Sequence, residues 1–233
     1  MGRQMKGLLY FYFADIRHSL TVFWTILMSI IVVTLTISYF LSNVEGGFMT
    51  LSITGPMYIY CGILGFLVVK EFIPFSIKRG ATRKNIFFSL AIFFLGLSIV
   101  KSVVGSFLQV IVEYINMKMG IENFKFLHLA YFTNDTWYYR IMIDTSIMFF
   151  AFSIMFVIGL LFYRYGLIGG GIFVGLLIIT ALTGAFQGWL IDFFINIFNA
   201  FDHTFYLQLF GIGVVIYAMS IILLRRITIL KVS

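Results

Sequence analysis

Charge is scarce in this chain. Only 11% of its residues are Asp, Glu, Lys or Arg, while 61% are hydrophobic. An ordinary soluble domain has about 25% charged and roughly 45–50% apolar residues. So few charges cannot cover the surface of a soluble protein of 233 residues. The composition therefore implies an integral membrane protein. Acidic residues are scarcer still, nine against sixteen Lys and Arg, for a net charge of +7. A basic balance can signal nucleic acid, but that needs basic residues on a water-exposed face. Here they cluster between apolar runs, which is the pattern that sets membrane orientation. The expected partner is a bilayer and not a nucleic acid. The single cysteine, Cys61, excludes an intrachain disulfide. Proline occurs only at Pro56 and Pro74.

Catalytic signatures are absent too. There is no G-x-x-x-x-G-K-[ST] phosphate loop. The richest glycine stretch, Gly166 to Gly175, lacks the lysine and lies in an apolar run. Its small-xxx-small pairs, Gly166/Gly170 and Gly171/Gly175, suit close helix packing. His18, His128 and His203 are far apart, with no metal-ligand spacing. No enzyme activity, metal or cofactor is expected in this chain.

What is present is a series of long apolar runs. The bilayer core is about 30 Å thick and needs about 20 helical residues. Spans are expected at about 19–41, 49–69, 86–115, 141–163, 166–186 and 205–224. The fold class is an all-α integral membrane protein with six transmembrane helices in one domain, 1–233. The first run is longer than a signal h-region of about 7–15 residues, so it is expected to remain as an anchor. Before it, Arg3, Lys6 and Arg17 fall opposite Leu8, Leu9 and Phe11. That pattern predicts an N-terminal interfacial helix or a cytoplasmic extension of the first span. Gly55-Pro56 reads as a first-turn proline or a kink. Asp192, Asn196, Asn199 and His203 recur at helical spacing. They predict a short amphipathic outer helix before the last span, or a re-entrant piece.

Orientation follows from the basic residues. One side carries twelve, the other has Lys118, Lys125 and Arg140, and Lys101 lies inside a span. The positive-inside rule puts both termini and the 70–85 loop in the cytoplasm. Lys101 is predicted either to snorkel to the outer headgroups or to pair with Asp144. Glu113 and Asp144 lie near span ends, where contact with water is expected.

The 70–85 segment carries Lys70, Lys78, Arg79, Arg83 and Lys84. Pro74 predicts a break from the second span, Gly80 a turn, and Thr82 the N-cap of the next helix. A short docking helix is expected at 73–78. The alternative is that the charges only set topology. The wording Pro74-Phe-Ser-Ile-Lys-Arg-Gly80-Ala-Thr82-Arg83-Lys84-Asn-Ile-Phe-Phe88 resembles the hydrophobic–Gly-x-Ser/Thr-Arg-Lys–aromatic pattern of type-2 ABC exporter permeases. The layout of spans and interfacial segments is similar to that family along most of the chain.

The resemblance implies an export permease, identical or paired with a second permease chain, in a bacterial plasma membrane. ATP and Mg would be bound by a separate ABC ATP-binding subunit. Partner coupling would involve Ile73, Pro74, Phe75, Ser76, Lys78, Arg79, Gly80, Thr82, Arg83 and Lys84. Arg164 and Tyr165 would form a second cytoplasmic contact. The cargo would be amphipathic or hydrophobic. The rival readings are a non-transporting membrane scaffold or immunity protein, and an ATP-independent secondary transporter.

Overall fold

The structure is a computed structural model that describes residues 2–42, 47–121, 123–132, 135–189, 191–192 and 203–225. Helix α1 spans Arg3–Leu41, α2 Thr54–Lys78, α3 Arg83–Met119, α4 Trp137–Phe186 and α5 His203–Arg225. Strands β1 (Met49–Leu51) and β2 (Phe124–Phe126) and a 3-10 turn at Leu129–Phe132 complete the described elements. Among the described residues, five helices are long and apolar enough to cross a membrane. The protein is an integral membrane protein built on helices. The expected amphipathic outer helix falls mainly in 193–202, outside the described residues.

Helix α1 runs unbroken for 39 residues, so the amino-terminal segment continues straight into the first apolar run. Arg17-His18-Ser19-Leu20 contains neither glycine nor proline to end one helix and begin another. At 1.5 Å per residue the helix is about 58 Å long, well beyond a bilayer core of about 30 Å. The excess has its own packing role. Leu8, Tyr12 and Ile16, spaced by four, are buried against the ends of α2 and α3. The Tyr12 ring stacks on Phe72 at 4.8 Å, and its hydroxyl shares a 3.0 Å hydrogen bond with Ser76.

The second span was expected from Met49, but Met49–Leu51 is a strand and the helix starts at Thr54. The strand pairs in parallel with Phe124–Phe126, Met49 opposite Phe124. Three-residue strands are too short to show an alternating pattern in the sequence. Pro56 does lie in the first turn of α2, where its missing N–H costs nothing.

Pro74 does not break the helix. Helix α2 continues through it to Lys78. A proline in a helix interior costs about 3 kcal/mol, because it removes a hydrogen bond and crowds the preceding turn. The tertiary contacts beyond it offset that cost. Ile73 and Ser76 are fully buried, and Phe75 stacks on Phe11 at 3.8 Å. The expected loop at 70–85 therefore shrinks to residues 79–82, between two helix ends.

The core lies where α2, α3, α4 and α5 meet. Phe94 stacks on Phe152 at 4.6 Å, and Phe156 stacks on Tyr217 at 5.7 Å. The Tyr217 hydroxyl donates to the Phe87 carbonyl at 2.6 Å, tying α5 to α3. Close approach of α2 and α4 uses Gly65 and Gly159. A Cβ on Gly65 would lie 2.9 Å from the Phe152 carbonyl oxygen, and one on Gly159 would lie 3.0 Å from that of Phe66. Of the two pairs expected to do this, Gly171/Gly175 faces open space, and in Gly166/Gly170 only Gly170 has a close neighbour, the Phe162 ring of the same helix, 2.5 Å from an added Cβ.

Within α4 the helix kinks at Gly166, with φ 71 and ψ −172. Essentially only glycine adopts that region. Residues 167–186 beyond the kink leave Leu167, Ile168, Ile172 and Leu176 exposed. Replacing Gly166 with Ala should destabilise the protein by about 1–3 kcal/mol. Replacing Gly171, which is helical and in open space, should stabilise it by up to about 1 kcal/mol. Thermal unfolding in lipid nanodiscs checks both, and a Gly166→Ala variant as stable as the parent would refute the strained kink.

Candidate functional site

The basic turn is built from two interlocking helix caps. Arg79 closes α2, and Gly80 follows at φ 75. The Gly80 N–H donates to the Ile77 carbonyl at 2.9 Å and the Ala81 N–H to that of Ser76 at 3.0 Å. These two bonds form a Schellman cap. Thr82 then caps α3 as expected, its hydroxyl accepting the Asn85 N–H at 3.3 Å. The amino end of α1 braces the turn from the side. Gln4 donates its amide to the Gly80 carbonyl at 3.0 Å, and the Asn85 side chain donates to Gln4.

The ten residues expected to couple to a partner divide into two groups. Ile73 and Ser76 are buried in the bundle, and Pro74 and Phe75 are half-buried. Lys78, Arg79, Gly80, Thr82 and Lys84 are exposed, and Arg83 is half-buried. There is no separate docking helix at 73–78, because that stretch is the end of α2. A groove of about 340 Å³ runs beside the turn, lined by Gln4, Leu8, Phe11, Phe75 and Arg79 among others. Arg164 and Tyr165 lie just before the α4 kink, with the Arg164 guanidinium 4.7 Å from the Tyr165 ring centre.

Lys101 and Asp144 do not pair. Lys101 is only 1% exposed, so it does not snorkel either. Its ammonium sits 3.5 Å from the ring centre of Tyr60 and 3.8 Å from that of Phe23, with Trp24 at 5.9 Å. A desolvated cation–π contact contributes about 2 kcal/mol or more. A lysine within a span costs about 2.5–3.5 kcal/mol. Two close rings are enough to offset that cost, so no carboxylate is required. The cage also holds α1 to α2 and α3.

Asp144 is 1% exposed and is not in contact with water. It lies two turns into α4, beneath the segment that carries β2 and the 3-10 turn. The Tyr58 hydroxyl donates to its Oδ1 at 2.5 Å. His128 Nε2 lies 3.2–3.3 Å from both carboxylate oxygens. On its other side, His128 Nδ1 accepts the Ala130 N–H at 2.9 Å. That bond puts the proton of the neutral imidazole on Nε2, facing the carboxylate. The chain Ala130 N–H, His128, Asp144, Tyr58 is satisfied throughout only with a neutral His128 and an ionised Asp144. Sequence reading missed it because its members are 16 and 86 residues apart and no local spacing links them.

A second cluster lies nearby. Arg140 holds Asp135 through Nε at 2.5 Å and Nη2 at 2.7 Å, and reaches Glu113 Oε1 at 3.4 Å. The Arg140 hydrogen bond holds the Asp135 carboxyl below its ordinary value. Among the described residues no group of three or more His, Cys, Asp or Glu could hold a metal ion. No protein family, curated protein or solved structure matches this chain.

Two outcomes are expected. Asp144→Asn weakens both hydrogen bonds to the carboxylate, each worth about 1.5–3 kcal/mol, and turns an amide NH2 toward one of the two donors. Tyr58→Phe removes one hydrogen bond to a charge, about 1.5–3 kcal/mol. Thermal unfolding in nanodiscs should rank them in that order, and an Asp144→Asn variant as stable as the parent would refute the network. Asp135 contributes stability above the ordinary aspartate range, and this is lost as pH falls through its depressed folded value. Asp135→Asn should therefore lose less stability than the parent on acidification below about pH 4. Parallel acid-unfolding curves would contradict this.

Proposed function

We propose that this chain is the membrane-embedded permease subunit of an exporter powered by a separate ABC ATP-binding subunit. The exposed, doubly capped basic turn between α2 and α3 is the observation that carries the reading. A surface that transmits force must be rigid as well as accessible. Lys78, Arg79 and Lys84 are accessible, while the caps and the Gln4 brace join the turn to α1, α2 and α3 together. A partner that grips the turn therefore acts on three apolar helices at once. The caps also account for the order of Gly80 and Thr82 without a partner, so the reading rests on exposure and bracing.

In this reading the protein crosses a bacterial plasma membrane six times, the two arms of α4 being the fourth and fifth crossings. At 50 residues α4 is about 75 Å long, more than twice a bilayer core of about 30 Å. Both termini are cytoplasmic. ATP and Mg are bound by the partner, and a second permease, identical or different, completes the path. The apolar residues left exposed on 167–186 and α1 suit lipid or that second permease, and an amphipathic cargo. ATP binding drives the cycle only in so far as the partner binds one permease state more tightly than the other.

The test is co-purification. The parent chain should carry an ATP-hydrolysing subunit, and the Lys78→Glu, Arg79→Glu double variant should lose it while keeping its expression and thermal stability. No such subunit on the parent, or undiminished capture by the variant, overturns the proposal. The buried His128–Asp144 pair favours one second reading, an ion-coupled transporter that needs no ATPase. Transport by the chain alone in proteoliposomes, driven by an ion gradient, would select it.

A further inference from the structure

The 3-10 turn at Leu129–Phe132 is fastened to the bundle through one nitrogen atom. His128 Nε2 faces the Asp144 carboxylate, and its Nδ1 accepts the Ala130 N–H from within the turn. Ala130 is fully buried and packs with Ile143 of α4 and Tyr206 of α5. A neutral imidazole has one acceptor nitrogen, and an imidazolium has none. Nδ1 can therefore accept the amide or carry a proton, but not both. The other charged and titratable groups nearby are Tyr58 from α2, Asp144 from α4, Tyr206, which senses the Asp144 charge, and Asp135, which senses that of His128. Arg140 and Glu113 lie beyond Asp135. Phenols ordinarily titrate near pH 10. Between about pH 5 and 8 histidine is the side chain whose ordinary titration falls.

We propose that the His128–Ala130 hydrogen bond is an acid-operated latch, which holds the 3-10 turn over Asp144 and releases it when His128 takes a proton. A proton on Asp144 would set its O–H against the His128 Nε2–H. A proton on Nδ1 leaves Nε2 donating to an ionised Asp144, so Nδ1 takes it. The Ala130 N–H then faces a donor and must move to find another acceptor, since a buried donor left unpaired costs stability. The sign follows from proton counting. The latched turn has no proton on Nδ1 and the released turn can bind one, so latching is favoured at high pH and opposed as pH falls. Asp144 acts in the same direction, because an imidazolium exists beside it only after release. The flanks confine the motion. On one side the Leu127 N–H donates to the Leu51 carbonyl at 2.9 Å. On the other, Arg140 grips Asp135 by two hydrogen bonds and holds its carboxyl below the ordinary value, so that contact persists where histidine titrates. The latch is independent of what powers the chain.

The test uses the full chain in phosphatidylcholine nanodiscs at about pH 8 and about pH 5. Nitrogen NMR of isotope-labelled histidine, with His18→Gln and His203→Gln to leave one signal set, reads the protons on His128. Amide hydrogen exchange, corrected for its intrinsic pH dependence, reads the latch at Ala130. At the higher pH the proton should sit on Nε2 alone, and at the lower pH both nitrogens should carry one. Protection of the Ala130 amide should fall at least tenfold between the two, while that of Leu127 changes less than twofold. His128→Asn offers a side-chain oxygen to the same N–H two residues on and takes no proton. In that variant Ala130 protection should differ less than twofold between the two pH values. If the variant does not fold, the NMR and exchange of the parent decide the matter alone. A proton on Nδ1 at the higher pH, a smaller fall at Ala130 in the parent, or an equal fall at Leu127 or in His128→Asn overturns the latch.

Discussion

In hydrocarbon a polar group without a partner has no water to turn to, and this constraint governs the whole structure. The backbone meets it with helices of 23 to 50 residues, since each added turn satisfies its own amides and carbonyls. The difficulty then moves to the helix ends. At the α2–α3 junction the Schellman cap and the Thr82 N-cap follow each other directly, so few amides or carbonyls are left to solvent. Rigidity at that turn is a by-product of satisfying the backbone. That rigidity is what the exporter proposal requires of the turn.

Side chains meet the constraint in different ways. Lys101 satisfies its charge with ring faces, which α1 and α2 must jointly supply. Asp144 satisfies its charge with donors, Tyr58 from α2 and His128 from the segment after β2. Each arrangement fastens a different element to the bundle. The Lys101 cage helps to hold α1, which also packs through Leu8, Tyr12, Ile16, Leu27 and Ile31 and through the Ser38–Asn123 contact. The Asp144 network anchors the segment between α3 and α4.

Several elements were legible because their cause is local. Thr82 caps α3 through an amide three residues away, and Pro56 sits where no N–H is needed. Other features were not legible because their cause lies elsewhere in the chain. Pro74 signals a break, yet Phe11 and Tyr12, more than sixty residues earlier, hold the helix together past it. The strand at Met49–Leu51 depends on a partner at Phe124–Phe126. Gly65 and Gly159 carry the close packing, although the denser glycine run beyond Gly166 has the stronger local pattern.

The sequence alone determined that the protein is a membrane protein of long helices without a G-x-x-x-x-G-K-[ST] phosphate loop. Composition and short-range spacing are sufficient for that, because solvation and helix capping act residue by residue or within one turn. Tertiary structure decided which charges meet. Lys101 and Asp144 lie at similar predicted depth and have opposite sign, but the helices turn them toward different neighbours. Depth can be read along one helix, whereas rotation about its axis is set only when the helices pack together.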